Sequence, residues 1–298
     1  MRVPAKINLH LAVGPRRDDG FHELGTVYQA VSLYDDVTAS SASTLRITVR
    51  GEGADAVPTD DTNLAAKAAQ ALAAYAGVEP AVHLDIAKGI PVAGGMAGGS
   101  ADAAGALVAC DALWGTRLER AQLSEIAAGL GSDVPFALQG GTALGIGRGE
   151  QLTQVLAKGA YHWVLALAET GLSTPTVYAE LDRLREEGRP RLQPVSDGVL
   201  TALRRGSAVE LGRALTNDLQ AATLALRPQL RFVLEAGHDL GAIGAVVSGS
   251  GPTCAFLAAS ADDAVALAAA LAGAGVCRTV RRAHGPVSGA RVVRPEPG

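Results

Sequence analysis

The chain has 298 residues, which suits one large domain or two medium ones with a buried core. Hydrophobic residues make up 48% and charged residues 19%, so the composition is that of a folded protein rather than a disordered one. The formal net charge is −4 and no long stretch is basic. Because duplex binding depends on clustered lysine and arginine, we expect no nucleic acid partner.

The cysteines and the apolar segments argue against three further kinds of feature. Cys110, Cys254 and Cys277 are widely spaced and form no CxxC pair, which argues against a disulfide framework or a zinc site. A strand-like pattern starts directly after Met1, with no signal peptide pattern. The apolar stretch 255–276 is interrupted by acidic residues and glycines. We therefore expect no membrane span, no membrane partner and a cytoplasmic location.

The first half of the chain mixes strands and helices. Alternation and helical spacing predict strands at 7–13, 45–49 and 82–86 and helices at 62–76, 100–113 and 122–130. The first strand should have one buried face, and Lys6 and Asn8 should lie side by side on its other face. Asp61 or Thr62 is expected to cap the first helix, and Gly77 is expected to end it.

The second half predicts a separate sheet. Gly140-Gly141 and the glycine-rich stretch 145–149 predict a break in the chain, and we place a domain boundary near residue 155. The later elements are a strand at 161–168, a helix at 174–187, a loop at 190–194, strands at 242–248, 253–258 and 276–282, and a helix at 262–272. The charges at 182–187 are interpreted as a solvent-exposed face. This order predicts an antiparallel sheet with helices on one face.

A glycine run between a predicted strand and a predicted helix is the first candidate site. Residues 94–100 read Gly-Gly-Met-Ala-Gly-Gly-Ser, and glycines let backbone N–H groups approach an anion closely. Ser100 can cap the helix, whose free amides and partial positive charge suit a phosphate. The run contains no lysine, so it is not a Walker A loop, and positive charge must come from elsewhere. The alternative is a tight turn that packs the helix on the sheet.

Other polar residues have two interpretations each. Asp133 either caps a short helix or accepts a proton from a substrate hydroxyl. Lys6 is either a surface lysine or, with Asn8 beside it, part of a polar pocket. The segment 249–252 is either a hairpin turn or a second backbone edge facing the site. A histidine that stands alone is more often structural than functional, and His22 belongs to no spacing typical of a metal site. The sequence also shows no convincing nucleophilic triad.

Three motifs in order resemble the GHMP kinase superfamily over nearly the whole chain. The first is Pro4-Ala5-Lys6-Ile7-Asn8-Leu9 with Arg17-x-Asp19-Gly20-Phe21-His22-x-Leu24, the second is the glycine run with 100–104, and the third is 248–253. The Asp-Gly-aromatic-His element is similar to that of the members acting on a cytidyl diphosphate alcohol in the non-mevalonate isoprenoid route. The alternative is another GHMP kinase, with a homoserine or mevalonate-type substrate.

The resemblance implies an α+β fold of two domains, with a mixed α/β ATP-binding and catalytic domain at 1–155 and a ferredoxin-like antiparallel sheet with helices at 156–298. It implies ATP and Mg²⁺ as cofactors and a monomer or homodimer. The ATP site would comprise Asn63, Lys88, Pro91, Ala93, Gly94, Gly95, Met96, Ala97, Gly98, Gly99 and Ser100. No metal ligand is firm, although Ser100 would approach Mg²⁺.

The resemblance also implies the chemistry and the substrate pocket. Lys6 and Asp133 would flank the hydroxyl that receives the γ-phosphoryl group. The substrate would be bound by Asn8, Phe21, His22, Tyr28, Thr174, Pro175 and Tyr178, with His22 reading the cytosine edge and aromatic rings around the base. Three departures from the family pattern are Phe21 for tyrosine, Ala97 for glycine and Ala101 for serine. None removes the catalytic pair, so we expect an active enzyme.

Overall fold

The computed structural model describes residues 1–188 and 197–293. The loop predicted at 190–194 therefore lies outside the described residues. In chain order the elements are β1 (Arg2–Arg16), β2 (His22–Ser41), β3 (Arg46–Gly51), a short 3-10 helix (Ala54–Ala56), α1 (Leu64–Ala76), β4 (Val82–Lys88), α2 (Gly98–Trp114), α3 (Arg120–Leu130), α4 (Val134–Gln139), β5 (Thr142–Ile146), β6 (Gln151–Gln154), β7 (Tyr161–Leu167), α5 (Thr174–Glu186), α6 (Asp197–Arg205), α7 (Ala208–Ala214), β8 (Thr216–Asn217), α8 (Leu219–Leu226), α9 (Leu230–Asp239), β9 (Gly244–Val247), β10 (Cys254–Ala258), α10 (Ala261–Ala274) and β11 (Thr279–Gly285).

The first sheet holds the N-terminal half together. Its strands run in the order β3-β4-β2-β1-β8, and the β5–β6 hairpin pairs with β2. α1 and α2 supply alanine-rich buried surfaces to the core under this sheet. Because alanine has a small side chain and a high helix propensity, the two helices pack closely without losing helical stability.

The first strand corrects one prediction. Lys6 and Asn8 do lie side by side, but their face is also buried, so the expectation of one exposed face is wrong. The glycine run and the turn between β9 and β10 cover that face. Alternation identifies which side chains share a face, whereas only the rest of the fold decides whether that face meets solvent.

The second sheet has the predicted antiparallel arrangement, in the order β11-β7-β10-β9. α9 and α10 pack on one face around Val164 and Phe256. The other face joins the core of the first sheet, where the Nε1–H of Trp163 donates to Oε1 of Gln29 at 2.9 Å. The predicted α+β architecture is confirmed. The boundary near residue 155 stays a prediction, and β8 from the later half pairs with β1.

The glycines at 140–149 were expected to break the chain, and this expectation is wrong for most of the stretch. Residues 142–154 form the β5–β6 hairpin, which adds to the first sheet beside β2. Gly147 and Gly149 have φ of 72° and 100°, so they are turn positions within that hairpin. Glycine residues are equally common in a turn within a sheet and in a break between domains. Only the observed strand pairing shows which of the two is present.

The predicted caps of two helices are also wrong. Asn63, rather than Asp61 or Thr62, caps α1, because its Oδ1 accepts from the N–H of Ala65 at 2.8 Å. Ala97 stands at the start of α2, so Ser100 lies inside the first turn and does not cap the helix. Gly77 ends α1 in the left-handed region, as predicted.

Candidate active site

A cavity of about 630 Å³ lies between the glycine run, the first sheet, α5 and the turn between β9 and β10. Most of the predicted site residues line it: Lys6, Asn8, Phe21, His22, Tyr28, Ala93, Gly94, Gly95, Ala97, Gly98, Gly99, Ser100, Asp133, Thr174, Pro175 and Tyr178. Residues from distant parts of the sequence therefore meet around one space. Its size suits a small-molecule ligand.

The glycine run ends at the N-terminus of α2, on the wall of the cavity. Within the helix the first bonded amide is that of Ala101, which donates to the carbonyl of Ala97 at 2.9 Å. The N–H groups of Gly98, Gly99 and Ser100 thus have no partner within the helix. Together with the helix dipole they form an anion-binding end suited to a phosphate.

The loop before α2 is held in an unusual backbone shape. Ala93 and Ala97 have φ of 52° and 60°, a region that L residues with a Cβ adopt only at some cost. Gly95 has φ of 76°, and a Cβ there would lie 2.2 Å from the carbonyl oxygen of Ser248. The hydroxyl of Ser248 donates to the carbonyl of Gly95 at 3.0 Å. The turn between β9 and β10 therefore fixes the loop from behind.

The segment 249–252 is both a hairpin turn and a second backbone edge of the cavity, so the two interpretations apply together. It links two antiparallel strands, and its Gly249 and Ser250 also line the cavity. The side-chain amide of Asn217 donates to the carbonyls of Val247 and Gly249 at 2.8 and 2.7 Å. Since Asn217 lies on β8, this contact ties the turn to the edge of the first sheet.

Lys88 lies in a buried cluster of charges at the base of the loop. Its Nζ donates to Oδ2 of Asp35 at 2.5 Å and to Oδ2 of Asp102 at 2.6 Å, and its side chain is 2% exposed. Asp35 also accepts from the backbone N–H groups of Gly89 and Ile90. Burial would lower the pKa of Lys88, but the charges of Asp102 and Asp35 outweigh it and raise that pKa. The cluster supports the loop rather than facing the cavity.

Four of the predicted ATP-site residues do not line the cavity: Asn63, Lys88, Pro91 and Met96. The side chain of Asn63 caps α1 and also donates to the carbonyl of Pro58 at 2.6 Å. Met96 packs into the core at 1% exposure, while its carbonyl accepts from the N–H of Lys6. Their binding roles stay predictions, because these residues lie behind the wall of the site.

Lys6 and Asp133 face each other at the centre of the cavity. Nζ of Lys6 lies 3.6 Å from Oδ2 of Asp133 and donates to Oδ1 of Asn8 at 2.7 Å. Asn8 donates in turn to the hydroxyl of Thr26 at 2.8 Å, which fixes the orientation of its amide. Asp133 precedes α4 but its side chain does not cap that helix; it is 29% exposed and lines the cavity, so a ligand can reach its carboxylate. The side chain of Lys6 is 9% exposed, which excludes the surface-lysine interpretation.

The chemistry of this pair is that of proton transfer beside a fixed positive charge. The carboxylate of Asp133 can accept a proton from a hydroxyl, and the ammonium of Lys6 can stabilise negative charge that develops there. Beneath them the ring of Tyr28 lies 5.4 Å from Nζ of Lys6. Burial and the nearby charge of Asp133 raise the pKa of Tyr28 well above its ordinary value, so the phenol stays protonated.

Aromatic side chains gather at another end of the cavity. The rings of His22 and Tyr178 lie 5.1 Å apart and are tilted by 31°. Phe21 is 51% exposed at the rim, and the guanidinium of Arg148 lies 5.1 Å from its ring. Thr174 joins this wall to the β9–β10 turn, with its hydroxyl 2.9 Å from that of Ser250. An exposed ring beside a buried imidazole suits stacking and edge recognition of a planar base.

Sequence reasoning missed part of this wall. The charges at 182–187 are expected to form a solvent-exposed face, but Arg185 is buried, and Asp182, although 38% exposed, also lines the cavity. Asp182 lines the cavity with its carboxylate 2.9 Å from Nε2 of His22, and Arg185 forms a buried ion pair with Asp218 at 2.9 Å. Tyr178, Asp182 and Arg185 follow an i, i+4, i+7 spacing, which would have placed them on one helix face. Arg16, Arg148 and Ser132 also line the cavity and were not predicted.

Residues 1–188 and 197–293 contain no group of three or more His, Cys, Asp or Glu side chains arranged to hold a metal ion. None of their helices is long and apolar enough to cross a membrane.

Comparisons with known proteins agree with this geometry. The family described as GHMP kinases N terminal domain matches residues 63–141, and GHMP kinases C terminal matches residues 199–277. The chain is 59% identical to 4-diphosphocytidyl-2-C-methyl-D-erythritol kinase of Rhodococcus jostii (strain RHA1), over 98% of this chain and 94% of the relative.

Solved structures show the same relationship. A crystal structure of 4-(cytidine 5'-diphospho)-2C-methyl-D-erythritol kinase is 33% identical, with a TM-score of 0.76, covering 95% of this chain and 98% of the other. The mevalonate kinase of L. major shares the fold, with 18% identity, a TM-score of 0.72, and coverage of 97% of this chain and 96% of the other. The chain is a small-molecule kinase that belongs to the GHMP kinase superfamily and, within it, to the 4-diphosphocytidyl-2-C-methyl-D-erythritol kinases.

Proposed function

We propose that this chain transfers the γ-phosphoryl group of ATP to the 2-hydroxyl of 4-diphosphocytidyl-2-C-methyl-D-erythritol, a step of non-mevalonate isoprenoid precursor synthesis. One observation carries the proposal: a single cavity joins a phosphate-binding helix start, the Lys6–Asp133 pair and an aromatic end with an imidazole. A substrate with a base, a diphosphate and an alcohol would use the aromatic end for its base and the centre for its hydroxyl.

In the proposed reaction the residues of this chain hold groups and move one proton. The substrate hydroxyl gives its proton to the carboxylate of Asp133, and its oxygen forms a bond to the γ-phosphorus. The bond between that phosphorus and the β–γ bridging oxygen breaks, so ADP leaves with the bond's electron pair. Lys6 stays protonated and stabilises the charge on the attacking oxygen. Fixed positions account for most of such catalysis.

Mg²⁺ is also part of the proposal. When bound, it neutralises the charge of the transferring phosphates. The donors fit a metal that arrives with ATP, since Mg²⁺ usually keeps several waters and takes its other ligands from phosphates and one or two side chains. Ser100 offers a hydroxyl in the first turn of α2, on the cavity wall. The cytoplasmic location and the choice between monomer and homodimer stay predictions.

The alternative is a homoserine or mevalonate-type substrate. Such a substrate has no base, so it gives no role to Phe21, His22 and Tyr178, which line the cavity together. The likeness to mevalonate kinase at 18% identity concerns the fold alone. The aromatic end therefore favours the cytidyl substrate.

ADP release from ATP, measured with a panel of alcohols, tests the assignment. We expect turnover with the cytidyl diphosphate of methylerythritol and none with homoserine or mevalonate. Turnover of homoserine or mevalonate, with none of the cytidyl compound, would refute the substrate assignment. Asp133→Asn should lose about 10²- to 10⁴-fold in kcat, the range for removal of a general base, and should still bind ATP.

Glu125→Gln is the matched control, because it removes an exposed carboxylate from α3, away from the cavity. It should keep the full rate. A near-full rate in Asp133→Asn would overturn the role given to Asp133 without touching the substrate assignment.

A further inference from the structure

Asp182 touches the imidazole at the aromatic end of the cavity, and the reaction above leaves it without a role. We propose that Asp182 is a positioning residue that fixes the tautomer of His22 and so makes the site select cytosine over uracil. The inference rests on the proposed function, because it concerns how the same site chooses its base.

The hydrogen bond itself decides which ring nitrogen carries the proton. Nε2 of His22 lies 2.9 and 3.2 Å from the two carboxylate oxygens of Asp182. A carboxylate only accepts hydrogen bonds, so Nε2 of the neutral imidazole must be the donor. Nδ1 is then left with a lone pair and can only accept.

Nδ1 is free to meet a ligand. Across residues 1–188 and 197–293 no hydrogen bond reaches it, and it is not among the buried polar atoms that lack a partner. His22 is 7% exposed in total and lines the cavity. The accessible part of its polar edge therefore presents an acceptor to whatever binds there.

The helix that carries Asp182 is anchored close to His22. One turn further along α5, the guanidinium of Arg185 donates to the carbonyl of Val13 at 2.6 Å and to Asp218 at 2.9 Å. One turn earlier, Tyr178 packs on the His22 ring. These contacts hold α5 against β1 and the start of β2, and so place Asp182, whose side chain is 38% exposed, beside His22.

The fixed tautomer discriminates between pyrimidines. Cytosine carries an exocyclic amino donor where uracil carries a carbonyl acceptor. The lone pair of Nδ1 pairs with the donor of cytosine and faces the oxygen of uracil with no proton between them. A site that leaves a polar group unpaired in this way rejects the wrong ligand more strongly than a site that merely lacks a contact.

Binding of CDP and UDP to the full chain, measured by titration calorimetry, tests the inference. The wild type should bind CDP at least about tenfold more tightly than UDP, the factor that one hydrogen bond supplies. Asp182→Ala frees the ring to take either tautomer, so the CDP-to-UDP preference should fall toward one. Asp182→Asn should also lower the preference, because its amide can accept from Nε2–H or donate to a bare Nε2.

Two further readouts separate positioning from a structural role. In turnover assays Asp182→Ala should raise KM for the cytidyl substrate about tenfold and leave KM for ATP unchanged. Glu186→Gln removes an exposed carboxylate from the same helix and should keep the preference of the wild type. An equal loss for CDP and UDP, or an unchanged preference in Asp182→Ala, would overturn the inference.

The two proposals fail in different ways. A CDP preference that depends on Asp182, in a protein that does not phosphorylate the methylerythritol substrate, would refute the proposed function alone. Full turnover of that substrate, with a base preference that ignores Asp182, would refute this inference alone.

Discussion

Replacing Asp102 with asparagine removes an ionisable carboxyl from the buried cluster beneath the glycine run. Lys88 contributes one positive charge there, and Asp35 and Asp102 contribute two carboxylates whose side chains are 0% and 3% exposed. With both carboxylates ionised, the cluster has one uncompensated buried charge. Within residues 1–188 and 197–293, Oδ1 of Asp102 has no hydrogen-bond partner. Burial raises the pKa of Asp102 from 3.8 to about 8.

Because the pKa of Asp102 is higher in the folded protein than in the unfolded chain, the folded protein loses stability as the pH rises. Between about pH 4 and about pH 8 the folded protein keeps a proton on Asp102 that the unfolded chain has released. This bound proton therefore contributes fully to the free energy of unfolding below about pH 4. The contribution is lost progressively as the pH rises to about 8, by up to about 1.4 kcal/mol per pH unit. The asparagine side chain has nearly the shape of a protonated aspartate and cannot ionise. Between about pH 6 and about pH 8 the wild type should lose about 2 kcal/mol more than Asp102→Asn.

Urea unfolding at about pH 6 and about pH 8, followed by tryptophan fluorescence, measures this difference, since Trp163 is fully buried. Asp55→Asn is the control, because it removes an exposed carboxylate and should keep the pH slope of the wild type. Equal slopes in Asp102→Asn and the wild type would refute the reasoning. So would a loss of about 3–5 kcal/mol at both pH values, since that is the result of breaking a stabilising buried ion pair.

Three further substitutions, two of them with a control variant, test residues in and around the site. Gly95→Ala should destabilise the fold and raise KM for ATP about tenfold or more, because its Cβ would lie 2.2 Å from a backbone oxygen. Gly129→Ala, with open space around its Cβ, should instead stabilise α3 by about 0.5–1 kcal/mol in urea unfolding. Arg185→Gln should cost about 3–5 kcal/mol in urea unfolding, whereas Arg183→Gln, whose side chain is 52% exposed, should leave the free energy of unfolding nearly unchanged. His22→Ala should raise KM for the cytidyl substrate and not for ATP, and unchanged constants would argue against base recognition.

The secondary structure was predictable where a local pattern decides it. The alternation after Lys6, the alanine-rich helices and the late strand–helix order all correspond to observed elements. The glycine run was also identifiable, since glycines between a strand and a helix are required locally by the backbone shape. These features depend on residues within a few positions of one another.

Other features depend on partners that lie far away in sequence. Asp182 could be assigned to a helix, but its role follows from His22, which is 160 positions earlier. The resemblance assigns Lys88 to the ATP site, whereas in the fold its ammonium is hydrogen-bonded to the side chains of Asp35 and Asp102. A charged side chain has the same local pattern whether it meets water or a buried partner, so the sequence pattern alone could not separate these cases.

The sequence by itself determined most of the elements, the glycine run between a strand and a helix and, through its ordered motifs, the superfamily. Local propensity and periodicity carry that information within each segment. The tertiary structure alone decided that the polar face of β1 is buried and that α5 places a carboxylate beside His22 in the cavity. It also decided that the turn between β9 and β10 fixes the loop from behind. Burial and pairing are properties of the assembled fold, because they depend on which distant surface covers a side chain.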